Sequence, residues 1–281
     1  MTSRRNFIRL AGVGAVTAGL PFHSMANASP ATVPVQSKEL FELGVAGYSF
    51  FGYNGDIDKD IEILKAVNIK YVTLKDFQLP YNCTKEQADA VMGKFRAAGI
   101  EPYGLGVIDM SNEKDVDMAI AYAQRAGVKM IIGAPRANVI QYLESKIKAT
   151  DIRVAIHNHG PEDKTFPDID SIYEKIKNMD KKMGICLDIG HSFRCGHNPS
   201  EMLLKYKDRI YDMHFKDVDK PVKEGKTVVN GWGNMDFISY LKALRKTKYS
   251  GKISLEFELK NPDLGIAESL GHFRGVMYAV K

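Results

Sequence analysis

The chain has 281 residues, of which 44% are hydrophobic and 26% are charged, and its formal net charge is +5. This composition is typical of a globular protein and allows one large barrel or two small domains. Clusters of Lys and Arg with interleaved aromatic residues do not occur in the sequence, which argues against a nucleic-acid partner. None of the three cysteines belongs to a CxxC pair, so neither a zinc ribbon nor a thioredoxin-like site is indicated.

The amino-terminal segment has the pattern of an export signal. A pair of arginines and a short apolar stretch are followed by Ala26-Asn27-Ala28, which fits a small-residue cleavage site. We predict a twin-arginine-type signal peptide over residues 1–28, a linker over 29–40, a periplasmic or otherwise exported protein, and no stable membrane anchor. An ordinary secretory signal or an uncleaved anchor is the alternative. Loss of residues 1–28 removes three arginines and no acidic residue, so the formal charge falls from +5 to +2.

From residue 41 onward, short β-rich runs alternate with amphipathic stretches of helical spacing. Predicted strands begin near Leu43, Tyr71, Glu101, Lys129, Arg153, Met183, Ile210 and Lys252. Predicted helices cover residues 56–68, 84–98, 112–126, 139–149, 166–178, 199–207, 235–247 and 264–280. Eight strands that are each followed by a helix predict an α/β fold, a single-domain (β/α)8 TIM barrel over residues 41–281. A doubly wound sheet is the alternative, but no Gly-rich dinucleotide fingerprint follows the first strand.

Four of the predicted strands end in pairs of ionisable residues. These pairs are His157 and His159, Asp188 and His191, His214 and Lys216, and Glu256 and Glu258. The carboxyl ends of barrel strands meet at one face of the fold, so we expect these side chains to converge. His, Asp and Glu side chains at one point are typical of a divalent metal site.

Three more residues are candidates for substrate contact or catalysis. Lys75 ends the second predicted strand, where a lysine can act as a base, an electrostatic clamp or a proton donor, although a surface ion pair with Asp76 is the alternative. Arg194 can bind a substrate hydroxyl or carboxylate, or remain a solvated loop residue. Trp232 is the only tryptophan, and it lies in the long segment over residues 219–234, which is a candidate active-site loop.

Three motifs resemble those of the xylose-isomerase-like barrels known as sugar phosphate isomerases/epimerases. They are Leu187-Asp188-Ile-Gly-His191, Met213-His214-Phe-Lys216-Asp217 and Tyr249-Ser-Gly-Lys-Ile-Ser-Leu-Glu256. The resemblance spans roughly residues 41–281 and implies a metal held by Asp188, His214 and Glu256. The family's usual first ligand is a Glu, and His157 stands in its place as the fourth predicted ligand or as a base. A nitrogen ligand there favours Mn²⁺, Co²⁺, Zn²⁺ or Fe²⁺ over Mg²⁺.

The resemblance implies a metal-dependent sugar isomerase or epimerase that abstracts a proton next to a carbonyl and forms an enediolate. The predicted catalytic residues are Glu256, His157 and Lys75. The predicted substrate-binding residues are His191, Lys216, His159, Arg194 and Trp232. The predicted partner is a small sugar or keto-sugar, and export argues against a phosphorylated one. A homo-oligomer is compatible with the family.

Three alternatives remain at this stage. The first is a lyase or dehydratase that eliminates from a 3-keto-glycoside or a keto-inositol. It is suggested because His157 replaces one glutamate of the family's acid/base pair. A non-catalytic periplasmic sugar-binding protein is the second. A barrel nuclease is the third, but it would need three metals and a basic groove, and the sequence indicates neither.

Overall fold

The structure, a computed structural model, describes residues 40–280, which form a closed barrel of eight parallel strands. The predicted signal peptide and residues 29–39 of the predicted linker lie outside the described residues. The barrel strands are β1 (Glu42–Val45), β2 (Tyr71–Leu74), β3 (Glu101–Met110), β4 (Met130–Pro135), β5 (Arg153–His157), β6 (Met183–Asp188), β7 (Ile210–Phe215) and β10 (Lys252–Leu255). Their order around the ring is β1-β10-β7-β6-β5-β4-β3-β2, and β1 pairs with both β2 and β10. The predicted TIM barrel is confirmed.

The strands were the most predictable elements of the fold. Each observed start lies within one residue of its predicted position. A parallel barrel strand is covered on both faces, so it appears in the sequence as a nearly continuous apolar run. In β6, for example, all six residues are buried.

Nine α-helices surround the barrel within the described residues. They are α1 (Ile57–Ala66), α2 (Lys85–Ala97), α3 (Glu113–Ala126), α4 (Ile140–Lys148), α5 (Ile169–Ile176), α6 (Ile189–Arg194), α7 (Pro199–Tyr206), α8 (Phe237–Thr247) and α9 (Pro262–Ala279). Among these described elements, none is a helix long and apolar enough to cross a bilayer.

Capping residues explain where several helices begin and end. Thr84 and Gln87 form a capping box at the start of α2, and Gly127 ends α3 in the left-handed conformation at φ 68°. The predicted starts of α5 and α8 are two or three residues too early, because Asp168 and Asp236 cap these helices. The six-residue helix α6 was not predicted, since it is too short to show a helical period and directly follows β6.

The long segment between β7 and α8 is organised by one buried carboxylate. Asp217 accepts hydrogen bonds from the backbone N–H groups of Val218, Gly231, Gly233 and Met235, at 2.8 to 3.1 Å. Two short antiparallel strands, β8 (Asp217–Val218) and β9 (Thr227–Val228), form a hairpin within it. A Cβ atom at Gly233 would lie 2.2 Å from Asp217 Oδ1, so this close approach requires a glycine.

Arg209, which precedes β7, stabilises the segment that connects α5 to β6. Its guanidinium is buried and donates to five backbone carbonyls, those of Ile176, Lys177, Met179, Asp180 and Met183. Two of these carbonyls belong to the end of α5, where the helix has no partners of its own for its last carbonyl groups. The arginine therefore replaces hydrogen bonds that the backbone lacks.

We expect Arg209→Met to lower the free energy of unfolding by about 2–4 kcal/mol, because it leaves several buried carbonyls without donors. The control is Lys177→Met, which removes only an exposed ion pair with Glu174 and should leave stability nearly unchanged. Urea denaturation of both variants measures the difference. Equal effects of the two substitutions would contradict the structural role of Arg209.

A second buried polar contact lies between α1 and the segment after β2. Asp60 is fully buried, and one of its carboxyl oxygens accepts a 2.5 Å hydrogen bond from Gln78, which in turn accepts from the backbone N–H of Lys75. The other oxygen has no hydrogen-bond partner within the described residues. Burial raises the pKa of Asp60 to about 7.

This raised pKa predicts a pH-dependent stability. Folded Asp60 keeps its proton up to about pH 7 whereas the ordinary value is 3.8, so stability falls as pH rises between these values. The full shift corresponds to on the order of 4 kcal/mol. Asp60→Asn should therefore stabilise the protein at pH 8 and change little below about pH 4, as measured by urea denaturation. Asp58→Asn, at an exposed position of the same helix, should show no such pH difference.

Candidate metal centre

Four of the predicted site residues come together at the carboxyl end of the barrel. His157 and Asp188 are the last residues of β5 and β6, His214 lies near the end of β7, and Glu256 directly follows β10. These four strands are neighbours in the ring. All four side chains are buried.

The donor atoms of these four residues face one another. His157 Nε2 lies 3.1 Å from His214 Nδ1 and 3.5 Å from Asp188 Oδ2. Glu256 Oε1 lies 3.3 Å from His214 Nδ1, and Glu256 Oε2 lies 3.9 Å from His157 Nε2. Ligands bound to one ion at about 2.0–2.1 Å in a tetrahedron stand roughly 3.4 Å apart.

The four residues therefore fit a divalent ion. Asp188 Oδ2 supports this interpretation, since it is buried in the cluster and its neighbours include the Lys216 ammonium at 3.1 Å, yet it accepts no hydrogen bond from a described residue. Two imidazoles and two carboxylates suit Mn²⁺, Co²⁺, Zn²⁺ or Fe²⁺ better than Mg²⁺.

A buried lysine lies beside the cluster. The ammonium of Lys216 is 2.6 Å from Glu256 Oε2, 3.1 Å from Asp188 Oδ2 and 2.5 Å from Glu258 Oε1. Burial lowers the pKa of Lys216, but these carboxylates outweigh burial and hold it well above its usual value. Burial likewise raises the pKa of Asp188 and of Glu256, yet Lys216 and the adjacent histidines bring both below their usual range. The site is therefore a set of fixed, opposite charges.

Residues behind the cluster orient its members. Asn158 donates to the backbone carbonyl of Asp188 at 3.1 Å and accepts from its N–H at 2.9 Å. Beneath His214, Asp212 Oδ2 lies 3.7 Å from the ring Nε2, and Tyr103 donates to Asp212 Oδ1 at 3.0 Å. Burial raises the pKa of Asp212 to about 6.

The cluster opens into a cavity of about 250 Å³. It is lined by Tyr48, Lys75, Val107, Asp109, His157, His159, His191, Glu256 and Glu258. Burial and the adjacent His157 lower the pKa of His159 to about 4. Burial and the Lys216 ammonium hold the pKa of His191 well below its usual range. Both rings are therefore neutral near pH 7, and each has a free lone pair, although a lowered pKa also makes each ring a weaker base.

Lys75 faces this cavity from the other side of the barrel. Its strand β2 is four places from β6 in the ring of eight, so Lys75 and Asp188 come from opposite sides of the mouth. The Lys75 ammonium donates a 2.7 Å hydrogen bond to the carbonyl of Val107. No ion pair between Lys75 and Asp76 occurs within residues 40–280, so the lysine is held at the cavity and not on the surface.

Three predicted substrate-binding residues do not line this cavity: Lys216 is buried among the carboxylates described above, and Arg194 and Trp232 make other contacts. Arg194 binds the carboxylate of Glu162 and the backbone carbonyl of Lys223, and so connects two loops. Trp232 is 73% exposed, and its indole N–H donates to Glu268 at 2.8 Å. The contacts of both side chains lie outside the cavity lining. The sequence could not predict these contacts, because α6 is too short to show a helical period and the long loop has no regular pattern.

Sequence reasoning missed several residues around the site. Asp212 precedes His214 by two positions in β7, so the period of two in a strand could have placed it on the same side. Tyr48, in the short 3-10 helix after β1, and Asp109, near the end of β3, line the cavity, but no sequence pattern distinguishes them from ordinary residues at strand ends. A larger cavity of about 680 Å³ lies at the amino end of the strands, and none of the four cluster residues lines it.

Comparisons with known proteins agree with this fold. The inosose dehydratase of Clostridium botulinum is 29% identical over 124 residues, which are 38% of this chain and 41% of that protein. For the first curated relatives the chain spans 41% to 46% of their length.

Solved structures of similar fold include the IOLI protein with a bound zinc atom, with a TM-score of 0.68 and 18% identity, covering 85% of this chain and 98% of that one. The 3-keto-D-glucoside 4-epimerase of E. coli superposes with a TM-score of 0.67 at 15% identity, covering 84% and 99% of the two chains. At these identities the likeness concerns the fold. The family model described as xylose isomerase-like TIM barrel matches residues 55–276, and the chain therefore belongs to that family.

Proposed function

We propose that this chain is a metal-dependent enzyme that removes a proton next to the carbonyl of a small sugar or keto-sugar. The observation that carries the proposal is the convergence of His157, Asp188, His214 and Glu256 at the base of a cavity that also holds proton-accepting groups. Relatives and structural neighbours named as inosose dehydratase and 3-keto-D-glucoside 4-epimerase support an isomerase, epimerase or dehydratase.

The bound ion would polarise the substrate carbonyl and stabilise the negative charge that develops there. The chain's own residues handle the proton. His159 and His191 line the cavity as neutral rings, so either can accept the proton from the carbon next to the carbonyl. Lys216 is enclosed by carboxylates and holds Glu256 in place.

Within this class we propose elimination as the reaction, by a lyase or dehydratase acting on a keto-sugar. The isomerase and epimerase prediction requires two free carboxylates that exchange a proton at one carbon. Here His157 replaces one of them, and the oxygens of Glu256 face His214 and Lys216. A histidine base and the Lys75 ammonium on opposite sides of the mouth suit elimination better, because the base takes the proton while Lys75 protonates the departing oxygen.

The cavity also supports a small, polar substrate. Its volume of about 250 Å³ lies below the range of roughly 300–1,000 Å³ that is typical of pockets for drug-sized ligands. Most lining residues carry charged or hydrogen-bonding side chains. A single polyhydroxylated ring with a keto group, such as a keto-inositol or the keto ring of a 3-keto-glycoside, matches both properties.

Metal removal is the first test of this proposal. A chelator should abolish turnover of a 3-keto-glycoside or keto-inositol, and added Mn²⁺, Co²⁺ or Zn²⁺ should restore it. Asp188→Asn should weaken binding of the ion by about 100-fold or more, because it removes one of four ligands. Asp117→Asn, at an exposed carboxylate on α3, serves as the control. Equilibrium dialysis measures the affinity. If sugar binding survives the chelator and turnover is never seen, the sugar-binding alternative replaces the enzyme.

The role of Lys75 separates elimination from epimerisation. We expect the wild type to form an unsaturated or dehydrated product, and Lys75→Met to slow its formation by roughly 10²–10⁴-fold. Exchange of the substrate proton with deuterated water should persist in this variant, since the base is unchanged. Mass spectrometry and proton NMR follow both processes. Lys70→Met, at the opposite end of β2, should behave like the wild type. An epimer without loss of water or alcohol would instead support the isomerase and epimerase prediction.

A further inference from the structure

The ammonium of Lys216 lies in a pocket of ligands that would suit a second metal ion. Glu256, Glu258 and Asp188 contribute carboxylate oxygens at 2.6, 2.5 and 3.1 Å from Lys216 Nζ, and His191 Nε2 lies 3.5 Å away. The donor atoms of His191, Glu256 and Glu258 all lie within 4.8 Å of one another. Three carboxylates and one imidazole form a ligand set that is common for Mn²⁺ and similar ions.

Two carboxylates are shared between this position and the first metal position. Glu256 directs Oε1 towards His214 and Oε2 towards Lys216. Asp188 Oδ2 lies 3.5 Å from His157 Nε2 and 3.1 Å from Lys216 Nζ. Carboxylates that bridge two neighbouring cations are the arrangement of two-metal sites. Here one of the two cation positions is filled by a side chain.

The charges of the cluster match this arrangement. Asp188, Glu256 and Glu258 contribute three negative charges, and His157 and His214 contribute none when they bind an ion through neutral rings. One divalent ion and one ammonium bring the total to zero. A buried charge is stable only when it is paired, so removal of the ammonium leaves one uncompensated negative charge in the interior. A second divalent ion can take its place if a bound hydroxide offsets the one positive charge that is then in excess.

We infer that Lys216 is a built-in second cation, which occupies a latent metal site formed by Asp188, His191, Glu256 and Glu258 and keeps the centre mononuclear. Glu258 is the distinguishing ligand, because it contacts Lys216 but is not one of the four residues around the first position. Thr227 fixes the other oxygen of Glu258 with a 2.7 Å hydrogen bond from the β8–β9 hairpin. The latent site is therefore organised before any ion enters.

The stem of Lys216 sets how much room the ion would have. A Cβ at Gly190 would lie 2.3 Å from Lys216 Cγ, so the stem is closely packed against α6. Truncation to alanine removes the stem and the ammonium together. Bonds to a divalent ion are about 2.0–2.2 Å long, so the oxygens of Glu256 and Glu258 would need to move inward by only roughly 0.5 Å.

The test counts Mn²⁺ ions per chain after equilibrium dialysis of the whole protein against Mn²⁺. Lys216→Ala should hold one more ion than the wild type, and its melting temperature should rise more with Mn²⁺. Lys216→Met loses the charge but keeps the stem in the site, so it should gain no ion. The double variant Lys216→Ala with Glu258→Gln should lose the gained ion and keep the first position intact.

The inference is overturned if folded Lys216→Ala holds no more Mn²⁺ than the wild type, or if the double variant keeps the extra ion. Should Lys216→Ala be unfolded without metal, Mn²⁺ must restore its circular dichroism spectrum, and failure to do so also counts against the inference. The result is a difference from the wild type and is separate from the proposed function. That function fails when the wild type itself binds no ion and no substrate is turned over.

Discussion

The pairing of the first barrel strand with the last is the contact on which the site depends. β1 and β10 are separated by about two hundred residues, yet four of their residue pairs align in parallel register. This pairing closes the ring, and the pairing of β10 with β7 on its other edge brings Glu256 beside His214. Because every strand is parallel, all carboxyl ends lie at one end of the barrel, and the ionisable residues that follow the strands share one space.

Burial of several ionisable side chains in one space has an electrostatic cost, which neighbouring side chains offset. Asp188 and Glu256 are buried within a few ångströms of each other, and burial alone would favour their neutral forms. Lys216 and the histidine rings reverse this tendency, so that the carboxylates stay ionised as metal ligands must be. The same lysine draws Glu258 into the cluster and thereby connects the centre to the hairpin after β7.

The alternation of side chains along a strand separates two roles in adjacent residues. Lys216 faces the cluster, whereas Asp217 points to the other side and gathers four backbone N–H groups of the long loop. An adjacent lysine and aspartate in a sequence are also compatible with an ion pair. The strand geometry excludes it, since consecutive side chains project to opposite faces.

Much of the fold and half of the site follow from the sequence alone. The apolar runs predicted where the strands begin, because burial on both faces makes each strand an apolar run in the sequence, independently of the other strands. The strand-end positions of His157, Asp188, His214 and Glu256 predicted a cluster, because a parallel barrel leaves no other place for them. Thr84, Gly127 and Pro199 marked helix ends because capping is a local interaction.

Only the tertiary structure decided the rest, because it depends on contacts between segments distant in sequence. In the folded chain, Arg194 contacts Glu162 and Lys223, and Trp232 contacts Glu268, so neither side chain lines the cavity. The tertiary structure brought Tyr48 and Asp109 to the lining, and Tyr103 and Asp212 beneath His214. It also set the surroundings of Lys216, whose three carboxylate partners come from β6 and from the residues after β10. A lysine among such partners is a fixed cation, whereas the same residue in the sequence is equally compatible with a solvated side chain.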